Sequence, residues 1–143
     1  MPQQEHGNII NVGSSYGFVS PNQTLYDFGK PGGQTFKPVD YVRSKAAIPS
    51  LTRYLATLYA RDGIRCNCIA PPAIYDQHDA SFLNNFERLS PLGRMCQIGE
   101  LRGPFVFLAS EASSYITGAV IVVDGAGQPG KYVSKVGISP ALS

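Results

Sequence analysis

Residues 37–63, "KPVDYVRSKAAIPSLTRYLATLYARDG", run straight into "IRCNCIAPP" at 64–72, and this junction sets the topology of the chain. Ile48, Leu51, Leu55 and Leu58 recur at the spacing of one helical face, Pro38 is tolerated in a first turn, and Gly63 is a natural stop. The spacing predicts a long amphipathic helix with a kink at Pro49, which has no N–H to offer the carbonyl of Lys45. "IRCNCIA" alternates and runs into two prolines, so it reads as a strand ending before Pro71.

Working outward, "NIINVG" at 8–13 is short, β-rich and bounded by glycine, which predicts a buried strand with Ser14 at its C-terminal end. Residues 71–97 read as loop with a short helix near "FLNNFERL". Ile98, Leu101, Phe105 and Leu108 predict a second helix over about 98–109, interrupted at Pro104, and "AVIVVDG" from 119 a third strand. Strand, helix, strand, helix, strand implies parallel strands joined by right-handed crossovers, an α/β Rossmann-like sheet. Between the first strand and the long helix, residues 15–37 carry Gly17, Pro21, Asn22, Gly29, Pro31, Gly32 and Gly33. Such a long breaker-rich loop is usually functional.

The 143 residues suit one domain, with 43% apolar and 15% charged residues, as expected of a chain that folds. A net charge of +2 without a basic run argues against nucleic-acid binding. The polar start "MPQQEHGN" and the lack of a membrane-length apolar run predict a cytoplasmic protein without membrane association. Cys66, Cys68 and Cys96 are odd in number and lack zinc-like pairing, so they read as small buried hydrophobes, with no metal site.

The pattern Tyr-x-x-x-Lys occurs twice, as "YDFGK" at 26–30 and "YVRSK" at 41–45. Only the second lies on a predicted helix, where positions i and i+4 project side by side. A phenol titrates near pH ~10 and needs a neighbour that stabilises its anion before it can exchange protons at neutral pH. The Lys45 ammonium is such a neighbour for Tyr41, whereas Tyr26 and Lys30 are followed at once by "PGG".

Taken in order, "GNIINVGSSYG", "YVRSKAA", "LTRYLA", "GIRCNCIAPP", "PLGR", "FLASEASSYITG" and "VDG" resemble the second half of short-chain dehydrogenases/reductases, over about residues 7–125. The resemblance implies the ordinary short branch of that family and a partial Rossmann-like parallel sheet of about three strands. Residues 1–125 would form the C-terminal half of the domain and 126–143 a tail or lid. It implies that Ser14 polarises the substrate oxygen, Tyr41 exchanges the proton, and Lys45 binds the nicotinamide ribose while lowering the tyrosine pKa. Ser15 is the adjacent alternative to Ser14. The spacing from Lys45 to Pro71 fits the family and that from Lys30 does not, although Tyr26 stands nearer the usual distance from the serine.

Cofactor contacts implied by the resemblance are Tyr41, Lys45, Pro71, Pro72 and Ile74, to NAD or NADP. "PPAI" departs from the family pattern, because Pro72 replaces a glycine and Asp76 a frequent threonine. Nothing in the chain resembles the Gly-rich turn that seats the pyrophosphate. The implied function is NAD(P)-dependent alcohol/ketone interconversion on a small molecule, sugar-derived or otherwise polar, by a truncated chain. In the family the long helix packs on a second subunit, so Ala46, Ala47 and Leu51 read either as core or as homo-oligomer contacts. Two alternatives stand beside this: an inactive remnant or interaction fragment that keeps the dimerising half, and an extended-branch nucleotide-sugar epimerase or dehydratase. The half-sheet would leave the edge of "NIINVG" unpaired and apolar.

Overall fold

The computed structural model describes residues 6–26 and 36–127. Lys30 of the first Tyr-x-x-x-Lys copy and most of the tail lie outside these residues. Strand β1 (Gly7–Val12) pairs in parallel with β2 (Ile64–Ala70), Gly7 opposite Ile64 and Val12 opposite Ile69. β2 in turn pairs in parallel with β3 (Val120–Val122), Cys68 opposite Val120. The order β1-β2-β3 leaves β1 without a second strand neighbour among the described residues. Helix α1 (Val39–Tyr59) makes the first crossover; α2 (Ala80–Leu89) and α3 (Arg102–Ala109) lie in the second. The partial parallel sheet implied by the sequence is the fold observed.

Central β2 is nearly all buried, and Cys66, Cys68 and Ile69 are fully enclosed. Both cysteines are free, and burial pushes their thiols above the ordinary range.

Helix α1 buries a different face from the one its leucines predict. Pro49, Thr52 and Ala56 are the buried residues of the helix, while Leu51 and Leu58 are 45% and 51% exposed. Small side chains let the helix approach closely. Ala56 sits where a Cβ added to Gly118 would stand only 3.5 Å from its own, and Thr52 accepts a hydrogen bond from Asn11 Nδ2 at 3.0 Å. A hydroxyl in this interface satisfies the half-buried Asn11 amide that a leucine would strand.

Pro49 and Pro104 both lie within helices. α1 runs through Pro49 as a single helix. Pro104 interrupts nothing, because α3 begins at Arg102 after a 3-10 turn at Ile98–Leu101, and first-turn N–H groups have no intrahelical partner to lose. Leu108 on α3 is fully buried and Leu101 in the preceding 3-10 turn nearly so, but Ile98 is exposed.

Candidate active site

The site forms where β1 ends. Ser14 is 5% exposed with extended backbone, and its Oγ accepts the Tyr16 N–H at 3.2 Å, capping a short 3-10 turn at Ser15–Gly17. Its hydroxyl proton meets no acceptor among the described residues, which leaves it to donate. Ser15 instead ties its backbone N–H to the Pro71 carbonyl at 3.0 Å, locking the turn to the end of β2.

Tyr41 and Lys45 rise from the first turns of α1 one helical turn apart. The Lys45 ammonium donates to the Val12 carbonyl at 3.3 Å and lies 5.8 Å from the centre of the Tyr41 ring. Ser14, Ser15 and Tyr41 share the wall of one cleft of about 320 Å³, together with Tyr16, Tyr26, Lys37, Ala73, His78, Asp79 and Phe82. The structure therefore brings Ser14 and Tyr41 to one opening, with Lys45 beneath the tyrosine.

Gly17 permits this arrangement. A Cβ there would lie 2.7 Å from the Lys45 carbonyl oxygen, the same carbonyl that Pro49 cannot satisfy within the helix. Gly17→Ala should therefore push the turn off α1, costing about 1–3 kcal/mol in urea unfolding and weakening turnover by misplacing Lys45 against Ser14. A midpoint equal to that of the parent chain would refute this close packing.

Tyr26 was expected to stand apart from the second pair; it does not. It is 9% exposed, packs with Leu25, Phe82 and Met95, and donates its hydroxyl to that of Tyr16 at 3.0 Å. Burial first, then this hydrogen bond, pushes the Tyr26 phenol far above its ordinary value, which suits a wall residue held neutral. In the unfolded chain the same phenol ionises near pH ~10. Folding therefore gains from the neutral phenol fully below that pH and loses the gain as pH rises above it. Urea midpoints measured between about pH 8 and 11 should fall, and Tyr26→Phe should flatten that fall.

The segment after β2 is where a nicotinamide ring would rest by the family pattern. Pro71 is buried; Pro72 and Ile74 are half-buried. Ile74 pairs with Cys96 in an isolated parallel bridge, with the Tyr75 N–H donating to the Cys96 carbonyl at 2.8 Å. The bonds run through residues flanking Ile74, so its own N–H and C=O point away from Cys96. Those groups, with the spare protons of the Lys45 ammonium, fit the amide and ribose hydroxyls of a nicotinamide riboside. Beyond Ile74 the loop turns sharply: Gln77 has φ +47°, and the Asp76 N–H donates to His78 Nδ1 at 3.2 Å. Either side of Cys96, Arg94 and Glu100 pair through two hydrogen bonds of 2.7 Å each, which with the Gln97 N–H hold the Glu100 carboxyl down at about 2.

Sequence reasoning missed Tyr16, Lys37, His78 and Phe82 as cleft residues. One signal was present: His78, Phe82 and Phe86 recur every four residues, and in the structure they stack in file, 4.9 Å and 6.1 Å between ring centres. Lys37 had no such signal. It reaches the cleft from the far end of the 15–37 segment.

A family model described as enoyl-(acyl carrier protein) reductase matches residues 1–126. The 7alpha-hydroxysteroid dehydrogenase of Bacteroides fragilis is 37% identical over 131 residues, 87% of this chain and 45% of that protein. Galactitol 2-dehydrogenase of Rhizobium johnstonii is 35% identical over 130 residues, 87% of this chain and 46% of that one. Among solved structures, a short chain dehydrogenase from Leptospira borgpetersenii with bound NAD+ superposes with a TM-score of 0.79 at 35% identity, covering 88% of this chain and 46% of the other. A gluconate 5-dehydrogenase from Burkholderia cenocepacia, in complex with NADP and tartrate, gives 0.74 at 30% identity, covering 90% and 47%. The chain thus spans about half the length of the relatives it matches.

Proposed function

The chain belongs to the short-chain dehydrogenase/reductase family, and from that premise we propose that it carries the proton-transfer half of an NAD(P)-dependent oxidoreductase interconverting a secondary alcohol and a ketone. The observation that carries this reading is the meeting of Ser14 and Tyr41 in one cleft with Lys45 one turn below the tyrosine. When bound, a nicotinamide dinucleotide supplies the hydride acceptor or donor.

The chain's own residues do the rest. As an alcohol is oxidised, its oxygen passes through alkoxide character and needs both a fixed donor and a proton acceptor. The Ser14 hydroxyl, fixed by its bond from Tyr16 N–H, donates to that oxygen; Tyr41 takes the proton and returns it in the reverse direction. The Lys45 ammonium, anchored on the Val12 carbonyl, keeps positive charge beside the tyrosine and offers its remaining protons to ribose hydroxyls. Pro71, Pro72 and the backbone of Ile74 would hold the nicotinamide end of the cofactor.

Polar small molecules of sugar-like size are the substrates this reading favours, since galactitol and gluconate dehydrogenases are among the similar proteins and the cleft is small. The outer side of α1, with Ala46 and Ala47 exposed, Leu51 at 45% and Tyr54 at 63%, supports a homo-oligomer through that helix. Among the described residues no helix is long and apolar enough to cross a membrane.

The test is a titration of the purified chain with NADH and NADPH, following cofactor fluorescence, then an assay for nicotinamide reduction with a panel of polyols. Saturable binding with polyol-dependent reduction is expected. Binding without turnover by any secondary alcohol, or no binding at all, would favour an inactive fragment.

A further inference from the structure

The geometry points to Lys37 as the residue that selects the substrate, and to a substrate carrying an anionic group, carboxylate or phosphate, near the alcohol that reacts. This rests on the oxidoreductase reading above and deepens it. Lys37 belongs to neither Tyr-Lys pair. Its ammonium lies 4.0 Å from the centre of the Tyr41 ring and 5.8 Å from that of Tyr26, closer to Tyr41 than the ammonium of Lys45 is. It lines the cleft, half-buried, while its backbone N–H is fixed by Gln23 Oε1 at 2.8 Å.

No carboxylate of the described residues pairs with it. Among the described residues the ion pairs are Arg43 with Asp40 and Arg94 with Glu100. Asp79, the one carboxylate on the cleft wall among the described residues, accepts the Ser81 N–H at 2.9 Å as the cap of α2. Two aromatic faces hold Lys37 in place by cation–π attraction without satisfying its three protons. A half-buried ammonium so placed faces whatever occupies the space over Tyr41 and gains most from an anion. The paired hydroxyls of Tyr16 and Tyr26 line the same cleft and suit a hydroxylated chain; Phe82 and Ala73 add apolar surface.

Sorbitol, gluconate and sorbitol 6-phosphate, compared at equal ionic strength, separate a neutral polyol from carboxylate and phosphate forms. Turnover is read as nicotinamide reduction, and binding independently by tyrosine emission, since the chain has eight Tyr and no Trp. At least one anion should be preferred over sorbitol by ~10-fold or more, expressed in KM rather than kcat. Lys37→Met should reduce that ratio to within ~3-fold, and Lys37→Arg should keep most of it. Equal use or equal binding of sorbitol and both anions, failure of both anions to bind, or a preference that survives Lys37→Met, each overturns the inference. If Tyr41→Phe abolishes turnover while sorbitol and the anions bind alike, this inference fails and the oxidoreductase reading stands. If the anions bind in preference to sorbitol and lose that preference with Lys37→Met, but no nicotinamide is reduced with any secondary alcohol, the oxidoreductase reading is the one that fails.

Discussion

Replacing Tyr41 by Phe should lower kcat by about 10²–10⁴-fold, the usual contribution of a positioned proton-transfer group, while Tyr26→Phe should cost less than ~10-fold. Both side chains line the same cleft, so proximity alone does not separate them. Their surroundings do. Tyr41 is 36% exposed, rises from the first turn of α1, and has the Lys45 and Lys37 ammoniums 5.8 and 4.0 Å from its ring. Tyr26 is enclosed, and its proton is already given to Tyr16. Losing that bond should cost about 1 kcal/mol of stability and little chemistry. Steady-state rates with a secondary alcohol check the prediction, and equal losses from the two variants would remove Tyr41 from its role.

Asn67→Leu should destabilise the chain by about 3–5 kcal/mol, seen as a drop of roughly 10 °C or more in the unfolding temperature. Asn67 is fully buried on β2, where its Nδ2 donates to the Ile116 carbonyl at 2.8 Å and its Oδ1 accepts the Ala119 N–H at 3.0 Å. One side chain thus satisfies two backbone groups of the turn that leads into β3. Leucine has the same branched shape but is larger, so the loss arises from the stranded Ala119 N–H, a lost donor on the Ile116 carbonyl and crowding rather than from a cavity. Arg65 supports the same turn through the Ile116 carbonyl at 3.3 Å, but from a half-buried position. Arg65→Met should therefore cost less, and an equal cost would contradict the assignment to Asn67.

Much of this architecture was legible in advance. The apolar period changes from about 3.6 to 2 at Gly63, which marks the end of α1 and the start of β2 and makes β1 and β2 parallel. Spacing of four residues places Tyr41 and Lys45 together wherever a helix forms. The open edge of β1 was implied by the resemblance to half of the family's sheet, and among the described residues β1 has no second strand neighbour, with Val12 48% exposed at its end.

Other features depended on contacts between residues far apart in the chain. Which face of α1 turns inward was settled by the need for small residues and one hydroxyl against β1 and β2, so Thr52 and Ala56 displaced the leucines that periodicity favoured. Tyr26 looked like a stray repeat because the breaker residues around it predict no helix, yet it ends a short 3-10 turn, Gln23–Tyr26. It gains its position from Tyr16, ten residues back, and from Phe82 in α2, 5.8 Å between ring centres. Lys37 looked like the polar lead-in to a helix and became a charge over the reactive ring. Local sequence fixes dihedral preferences and spacing along one element; only tertiary packing assigns a buried environment, and a side chain's chemistry depends on that environment.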